Sequence, residues 1–129
     1  MTGDVLLDTN IVIALLAVEA QVVQRISTAP MAFLPAIVVG ELCFGARKSS
    51  QAAANLMRID EFAARSTVLE CDLETARLYG EIKHQLRTRG TPIPDNDIWI
   101  AAIAQQHQLQ LLTRDAHFKH VAGLDAEYC

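Results

Sequence analysis

The segment VLLDTNIVIALL, residues 5–16, decides the fold, because a short strand passes into a helix within it. Val5 to Leu7 is a continuous apolar run, which is typical of a strand buried on both faces. We predict that Thr9 or Asn10 in the next polar triplet is the N-cap of a helix over residues 11–24. A buried strand that leads directly into a helix predicts the first half of a βαβ unit.

The rest of the chain repeats this alternation. We predict further strands at 32–34, 68–69, 109–113 and 127–128. We predict further helices at 51–65, at 72–89 and from Asp95 or Asn96, as N-cap, to about 107. Pro35 is predicted to lie in the first turn of one more helix, the one that carries Glu41. This order predicts an α/β fold, a short and mostly parallel central sheet between helices on both faces. A length of 129 residues predicts one domain over 1–129.

Composition and charge limit the classes of function. The chain is 51% hydrophobic and its mean hydropathy is +0.20, as expected of a folded domain. Its three cysteines form no CxxC pair, and its first residues lack the basic start of a signal peptide. The apolar segments are too short to span a bilayer, so we expect a soluble, cytoplasmic protein with no membrane partner. A net charge of −4 argues against a broad basic surface for nucleic acid.

Four acidic residues stand near the predicted carboxyl ends of the strands, where ligands of parallel α/β sheets bind. Glu41 is the most informative, because it lies in the apolar run PAIVVGELCFGA and has no basic residue one turn away on its helix. A buried carboxylate needs a partner, a metal or a proton. The other three residues come from separate segments of the chain. The set is Asp8, Glu41, Asp97 and Asp115.

Carboxylates brought together in this way repel one another unless they are protonated or bridged by a cation. Mg²⁺ and Mn²⁺ prefer oxygen ligands, and they promote in-line attack of water at phosphorus. The sequence therefore predicts a site for one or two such ions. Taken singly, an acid at the position of Asp8 is more often a cap, one at Asp97 a residue that interacts with the helix dipole, and one at Asp115 an ordinary loop residue. Only the four acids together indicate a metal site.

Other kinds of site fit less well. A receiver-like, non-catalytic module, which we keep as the alternative, needs an adjacent acidic pair after its first strand and a lysine after its last. This chain has DTN after the first strand, and no lysine directly follows Thr113 at the end of the strand over residues 109–113. A haloacid-dehalogenase-like phosphatase needs DxD, but position 10 is Asn. We also argue against zinc at His117 and His120, because no cysteine or second HxxH pair accompanies them.

Four segments, in order, resemble the PIN-domain nucleases, and most closely the VapC-type toxins of bacterial toxin–antitoxin pairs: LLDTNIVIALL, VVGEL, IPDNDIWIAA and LLTRDAHF. The resemblance spans Val5 to about Leu124 and implies a PIN-like three-layer sandwich. It also implies that the four acids are the catalytic and metal-binding residues. Three further positions match polar residues that support the acids, namely Thr9, Asn10 and Thr113.

The resemblance implies an activity and partners as well. VapC-type toxins are Mg²⁺- or Mn²⁺-dependent endoribonucleases that cut RNA, often tRNA or ribosomal RNA, and leave 5′-phosphate and 3′-hydroxyl ends. They are typically homodimers that a cognate antitoxin neutralises. As cations that contact RNA phosphate we predict Arg114, Lys83 and Arg87. Asp95, two residues before Asp97, is either the N-cap of its helix or an accessory acid.

Overall fold

The strands of the structure, a computed structural model that describes residues 3–129, form one five-stranded sheet. Its order is β3-β2-β1-β4-β5, and every neighbouring pair is parallel, so the sheet is wholly rather than mostly parallel. Each predicted strand is present within one or two residues. The strands are β1 (Val5–Leu7), β2 (Ala32–Pro35), β3 (Thr67–Leu69), β4 (Gln110–Thr113) and β5 (Ala126–Tyr128).

Six α-helices and one short 3-10 turn connect these strands. Because parallel crossovers are right-handed, the helices before β3 cover one face of the sheet and those between β3 and β4 cover the other. This arrangement confirms the predicted α/β architecture. The helices are α1 (Thr9–Leu16), α2 (Ala20–Ser27), α3 (Ala36–Arg47), α4 (Ala52–Ala64), α5 (Leu73–Thr88) and α6 (Asp95–Gln106); the turn is Ala116–His120.

The core is deepest at β1 and α6. All three residues of β1 are at most 2% exposed, and α6 is buried almost without interruption from Ile98 to Ala104. Alanines at positions 101, 102 and 104 keep this helix thin and let it approach its neighbours closely. The first turn of α6, which carries Asp97, is thereby held against the interior.

The predicted helix over residues 11–24 is wrong, because two helices occupy it. α1 begins at Thr9, and its N-cap is Asp8 rather than Thr9 or Asn10. The chain bends by 109° before α2, and Val18 at the bend has a φ of 58°. No glycine or proline marks this bend, so nothing local predicts it. Among residues 3–129, no single helix is long and apolar enough to cross a membrane, whereas α1 and α2 meet those criteria jointly across their bend.

Two proline positions also differ from the predictions. Pro35 ends β2 and is the N-cap of α3 instead of lying in its first turn. Pro94 is the N-cap of α6, so Asp95 is its first helical residue and neither Asp95 nor Asn96 is the cap. In both places the extended backbone of the proline ends one segment and begins a helix at the following residue.

The backbone conformation of Val18, at the bend between α1 and α2, leads to a prediction about stability. A β-branched residue at positive φ is strained, whereas glycine adopts this conformation freely. We expect Val18→Gly, at a side chain that is 73% exposed, to raise the free energy of unfolding by about 0.5–1 kcal/mol in urea titrations. Val23→Gly inside α2 is the matched control and should lower stability by a similar amount. A loss of stability in Val18→Gly would show that this backbone is unstrained.

Candidate metal centre

The structure brings three of the four acids around one open cleft. β1 and β4 are neighbours, with Leu7 opposite Leu112, so Asp8 and Asp115 leave the sheet at the same edge. A cleft of about 410 Å³ at this edge is lined by Glu41, Asp97 and Asp115. Asp8 does not line the cleft but is close enough to interact electrostatically with the other three.

Asp8 is both a helix cap and a buried charge. Its Oδ1 accepts a hydrogen bond of 2.8 Å from the backbone of Thr9, and its Oδ2 accepts one of 2.6 Å from the Thr113 hydroxyl. The residue is 4% exposed, and this burial raises the pKa of Asp8, while the two hydrogen bonds oppose the rise. Each oxygen keeps a free lone pair, so the carboxylate can also bind a cation.

Asp97 is the most strongly perturbed acid of the cleft. It is 8% exposed, and burial raises its pKa to about 6. The hydrogen bond with His117 lowers this pKa, whereas the charges of Asp115 and Asp8 raise it further. A favourable position in the first turn of a helix therefore does not compensate for desolvation. Nearby positive charge would stabilise the ionised form.

Glu41 has a hydroxyl partner and no basic one. The Thr9 hydroxyl donates a hydrogen bond of 2.7 Å to Glu41 Oε1. Within residues 3–129, no lysine or arginine forms an ion pair with this carboxylate. Its negative charge is thus left for a partner in the cleft, which is what its apolar helix predicts.

The three supporting polar residues connect the acids. Thr9 links Asp8 to Glu41, because its backbone N–H donates to Asp8 and its hydroxyl donates to Glu41. The Thr113 hydroxyl donates to Asp8 and accepts a bond of 3.0 Å from the backbone N–H of Asp115. Asn10 Oδ1 accepts a bond of 3.2 Å from the Arg114 backbone, which holds the start of α1 against the end of β4. These bonds fix the orientation of side chains that come from distant segments.

The three cations predicted to contact RNA differ in whether an acidic residue of the protein already pairs with them. Arg114 forms an ion pair of 2.8 Å with Glu19 and donates to the carbonyl of Cys129. Lys83 forms an ion pair of 3.0 Å with Asp95. Arg87 is exposed in the last turn of α5 and lines a small neighbouring pocket that shares Asp95 with the cleft.

Asp95 takes part in a surface network next to the cleft. Its Oδ1 accepts hydrogen bonds of 3.0 Å from Lys83 Nζ and 3.1 Å from the Tyr79 hydroxyl. These two bonds lower the pKa of Asp95. The Tyr79 ring in turn stacks on Trp99, with centroids 4.0 Å apart. The network ties α5 to the first turn of α6, beside Asp97.

His117 lies in the cluster of metal-binding candidates, although the sequence pattern argued against a metal ligand at this position. Its Nδ1 lies 3.0 Å from Asp115 Oδ1 and 3.2 Å from Asp97 Oδ2. One donor atom from each of these three residues lies within 4.8 Å of the other two. The local signal is that His117 lies two residues after Asp115 in the same turn, but its proximity to Asp97, twenty residues away, requires the fold.

The donor set fits a divalent cation. Carboxylate oxygens predominate, and two of the acids are buried with raised pKa. Among residues 3–129, no lysine or arginine forms an ion pair with any of the four acids. Hard ions such as Mg²⁺ and Mn²⁺ are bound through such groups.

Comparisons with known proteins identify the family to which the chain is similar. The family model described as PIN domain matches residues 5–124. Ribonuclease VapC2 of Haemophilus influenzae is 34% identical, and the match covers 95% of each chain. The tRNA(fMet)-specific endonuclease VapC of Shigella flexneri is 33% identical over 73% of this chain and 72% of its own.

Solved structures match over nearly the full length. VapBC from Salmonella typhimurium, bound to DNA, has a TM-score of 0.89 and 27% identity and covers 99% of this chain and 98% of its own. VapBC-1 from nontypeable Haemophilus influenzae has a TM-score of 0.86 and 28% identity and covers 97% of each chain.

Proposed function

This chain belongs to the PIN-domain family and to its VapC ribonucleases, and on this premise we propose that it is a metal-dependent endoribonuclease, the toxin of a toxin–antitoxin pair. The observation that carries the proposal is the cleft in which Glu41, Asp97 and Asp115 meet beside Asp8, with no lysine or arginine among residues 3–129 in an ion pair with any of these four acids. The alternative, a receiver-like non-catalytic module, fits less well because the adjacent acidic pair that it needs after β1 is replaced by Asp8-Thr9-Asn10.

The four acids would hold Mg²⁺ or Mn²⁺, as one or two ions. Such an ion supplies positive charge that acidifies water and stabilises charge developing on a phosphate in the transition state. Asp8 is oriented by Thr113, and Glu41 is oriented by Thr9, so that neither carboxylate has to rearrange. Preorganised groups of this kind contribute to catalysis because no reorganisation is needed during the reaction.

The proposed reaction is hydrolysis of a phosphodiester. Water attacks phosphorus in line with the bond to the 3′ oxygen, that bond breaks, and the products carry 5′-phosphate and 3′-hydroxyl ends. No protein nucleophile is required, and none of the cleft residues is a serine or cysteine. The acids would orient the attacking water and accept its proton, and the leaving 3′ oxygen would take up a proton from solvent.

A structured RNA such as tRNA is the substrate that we propose, since one relative is named a tRNA(fMet)-specific endonuclease. The solved neighbours are named VapBC, and a cognate antitoxin that occupies the cleft is the proposed protein partner. We further propose a homodimer that acts in the cytoplasm, where such RNA is found.

RNA cleavage by the purified chain tests this function. Total RNA and tRNA are incubated with the protein in Mg²⁺, in Mn²⁺ and in EDTA, and the product ends are mapped. We expect cleavage with either metal and none in EDTA. Asp115→Asn should lose cleavage, whereas Asp125→Asn, an acid outside the cleft, should retain it. Equal cleavage in EDTA, or by Asp115→Asn, would refute the metal-dependent assignment.

Arg87 is the best placed of the predicted cations for RNA. Unlike Arg114, which is paired with Glu19, it is exposed in the last turn of α5 and forms no ion pair among residues 3–129. We expect Arg87→Ala to weaken RNA binding several-fold and to reduce the dependence of log Kd on log salt by about 0.7, as for one lost phosphate contact. Fluorescence anisotropy at several salt concentrations measures both.

Arg77→Ala is the matched control for Arg87→Ala. This arginine is exposed on the same helix but pairs with Glu74 near the other end. We expect its removal to leave both affinity and salt dependence unchanged. Equal effects of the two substitutions would mean that α5 attracts RNA only through its overall positive charge and not through a specific contact of Arg87.

A further inference from the structure

We propose that His117 is a nitrogen ligand of the metal centre and that it makes this centre prefer a divalent transition ion, with Mn²⁺ as the probe, over Mg²⁺. The inference rests on the proposed function of the same site and extends it to the identity of the ion. Four acids alone do not distinguish between these two ions, because both accept carboxylate oxygens.

The spacing of the donor atoms carries the inference. In an octahedral site with metal–ligand distances of about 2.1 Å, neighbouring ligands are about 3.0 Å apart. His117 Nδ1 lies 3.0 Å from Asp115 Oδ1 and 3.2 Å from Asp97 Oδ2. The imidazole nitrogen thus already has the spacing of a neighbouring ligand from each of the two carboxylate oxygens, and the donor atoms of the three residues lie within 4.8 Å of one another.

The fold holds the imidazole in this place. The backbone N–H of His117 donates a hydrogen bond of 2.9 Å to Asp115 Oδ1, which caps the 3-10 turn. The next residue, Phe118, is 1% exposed and anchors the turn in the core. The His117 side chain itself is 50% exposed, which leaves room at the ion for water and for a phosphate oxygen.

Imidazole changes the selectivity of an oxygen-rich site. Transition ions accept nitrogen ligands more readily than Mg²⁺, which keeps oxygen ligands and water. A nitrogen ligand therefore increases the affinity for Mn²⁺ more than the affinity for Mg²⁺. The competing explanation is that His117 only donates a hydrogen bond to the two carboxylates and moves away when an ion binds.

Spectroscopy and calorimetry on the full chain separate these two explanations. The proteins are the wild type, His117→Gln and, as matched control, His120→Gln, which changes an exposed histidine of the same turn outside the donor cluster. Pulsed EPR of bound Mn²⁺ reports ¹⁴N coupling from a ligating imidazole. Titration calorimetry with Mn²⁺ and with Mg²⁺ measures the ratio of the two affinities, and circular dichroism checks folding.

We expect ¹⁴N coupling in the wild type and in His120→Gln and its loss in His117→Gln. The preference for Mn²⁺ over Mg²⁺ should fall by about tenfold in His117→Gln. Bound Mn²⁺ without ¹⁴N coupling, or an unchanged preference, would overturn the role of His117 and leave the proposed nuclease intact. A folded wild type that binds neither ion would overturn both.

Discussion

Asp97→Asn should reduce RNA cleavage by about 10³-fold and, at the same time, stabilise the metal-free protein. The loss of cleavage is expected because the amide no longer supplies negative charge to the metal centre. The gain in stability is expected because Asp97 is 8% exposed and burial raises its pKa to about 6. An asparagine has nearly the same shape and needs no ionisation.

The pH dependence of this stability has a definite sign. The pKa of Asp97 is raised in the folded state above its usual 3.8, so the folded protein holds the proton more tightly than the unfolded chain does. The stabilisation from the protonated form is complete below about pH 4 and is lost as the pH rises through about 6. Above that pH the ionised group costs on the order of 1–3 kcal/mol.

Thermal unfolding in EDTA measures this effect. At about pH 8 we expect the Tm of Asp97→Asn to exceed that of the wild type by about 5 °C, and the difference should nearly vanish at about pH 4.5. Asp125→Asn, outside the cleft, should show no such dependence. A lower Tm for Asp97→Asn at pH 8 would contradict a carboxylate destabilised by burial and by its acidic neighbours.

The second large effect is expected at Phe118, which supports the site from the core. Its ring is 1% exposed and belongs to the turn that follows Asp115 and includes His117. Phe118→Ala removes a fully buried aromatic ring, so we expect a loss of about 3–5 kcal/mol in the free energy of unfolding. Cleavage by the folded fraction should also fall, because the turn no longer holds Asp115 and His117 in position.

Urea unfolding and cleavage assays below the transition check this prediction. Tyr128→Ala, at an aromatic residue that is 40% exposed, is the control and should cost less than about 1 kcal/mol. Phe118→Leu keeps an apolar side chain in the core. Its cost in the free energy of unfolding should lie between the costs of Phe118→Ala and Tyr128→Ala. A cost below about 1 kcal/mol for Phe118→Ala would mean that the turn is held by its hydrogen bonds instead.

Much of the candidate site could be predicted because its signals are local. Apolar runs that end in Asp8 and before Asp115 marked strand ends, and parallel strands bring such ends to one edge. The apolar run around Glu41 predicted a carboxylate without a basic partner, as observed among residues 3–129. The ion pair of Arg114 with Glu19 could not be predicted from local signals, because it joins residues 95 positions apart.

The sequence by itself determined the alternation of strands and helices, the parallel sheet and the acids that face its edge. Burial patterns and the order of elements suffice for these features, because each depends on neighbouring residues. Only the tertiary structure decided that the chain bends at Val18 and that His117 lies between Asp97 and Asp115. Both depend on contacts between segments distant in sequence, where local propensities are weak and packing selects the conformation.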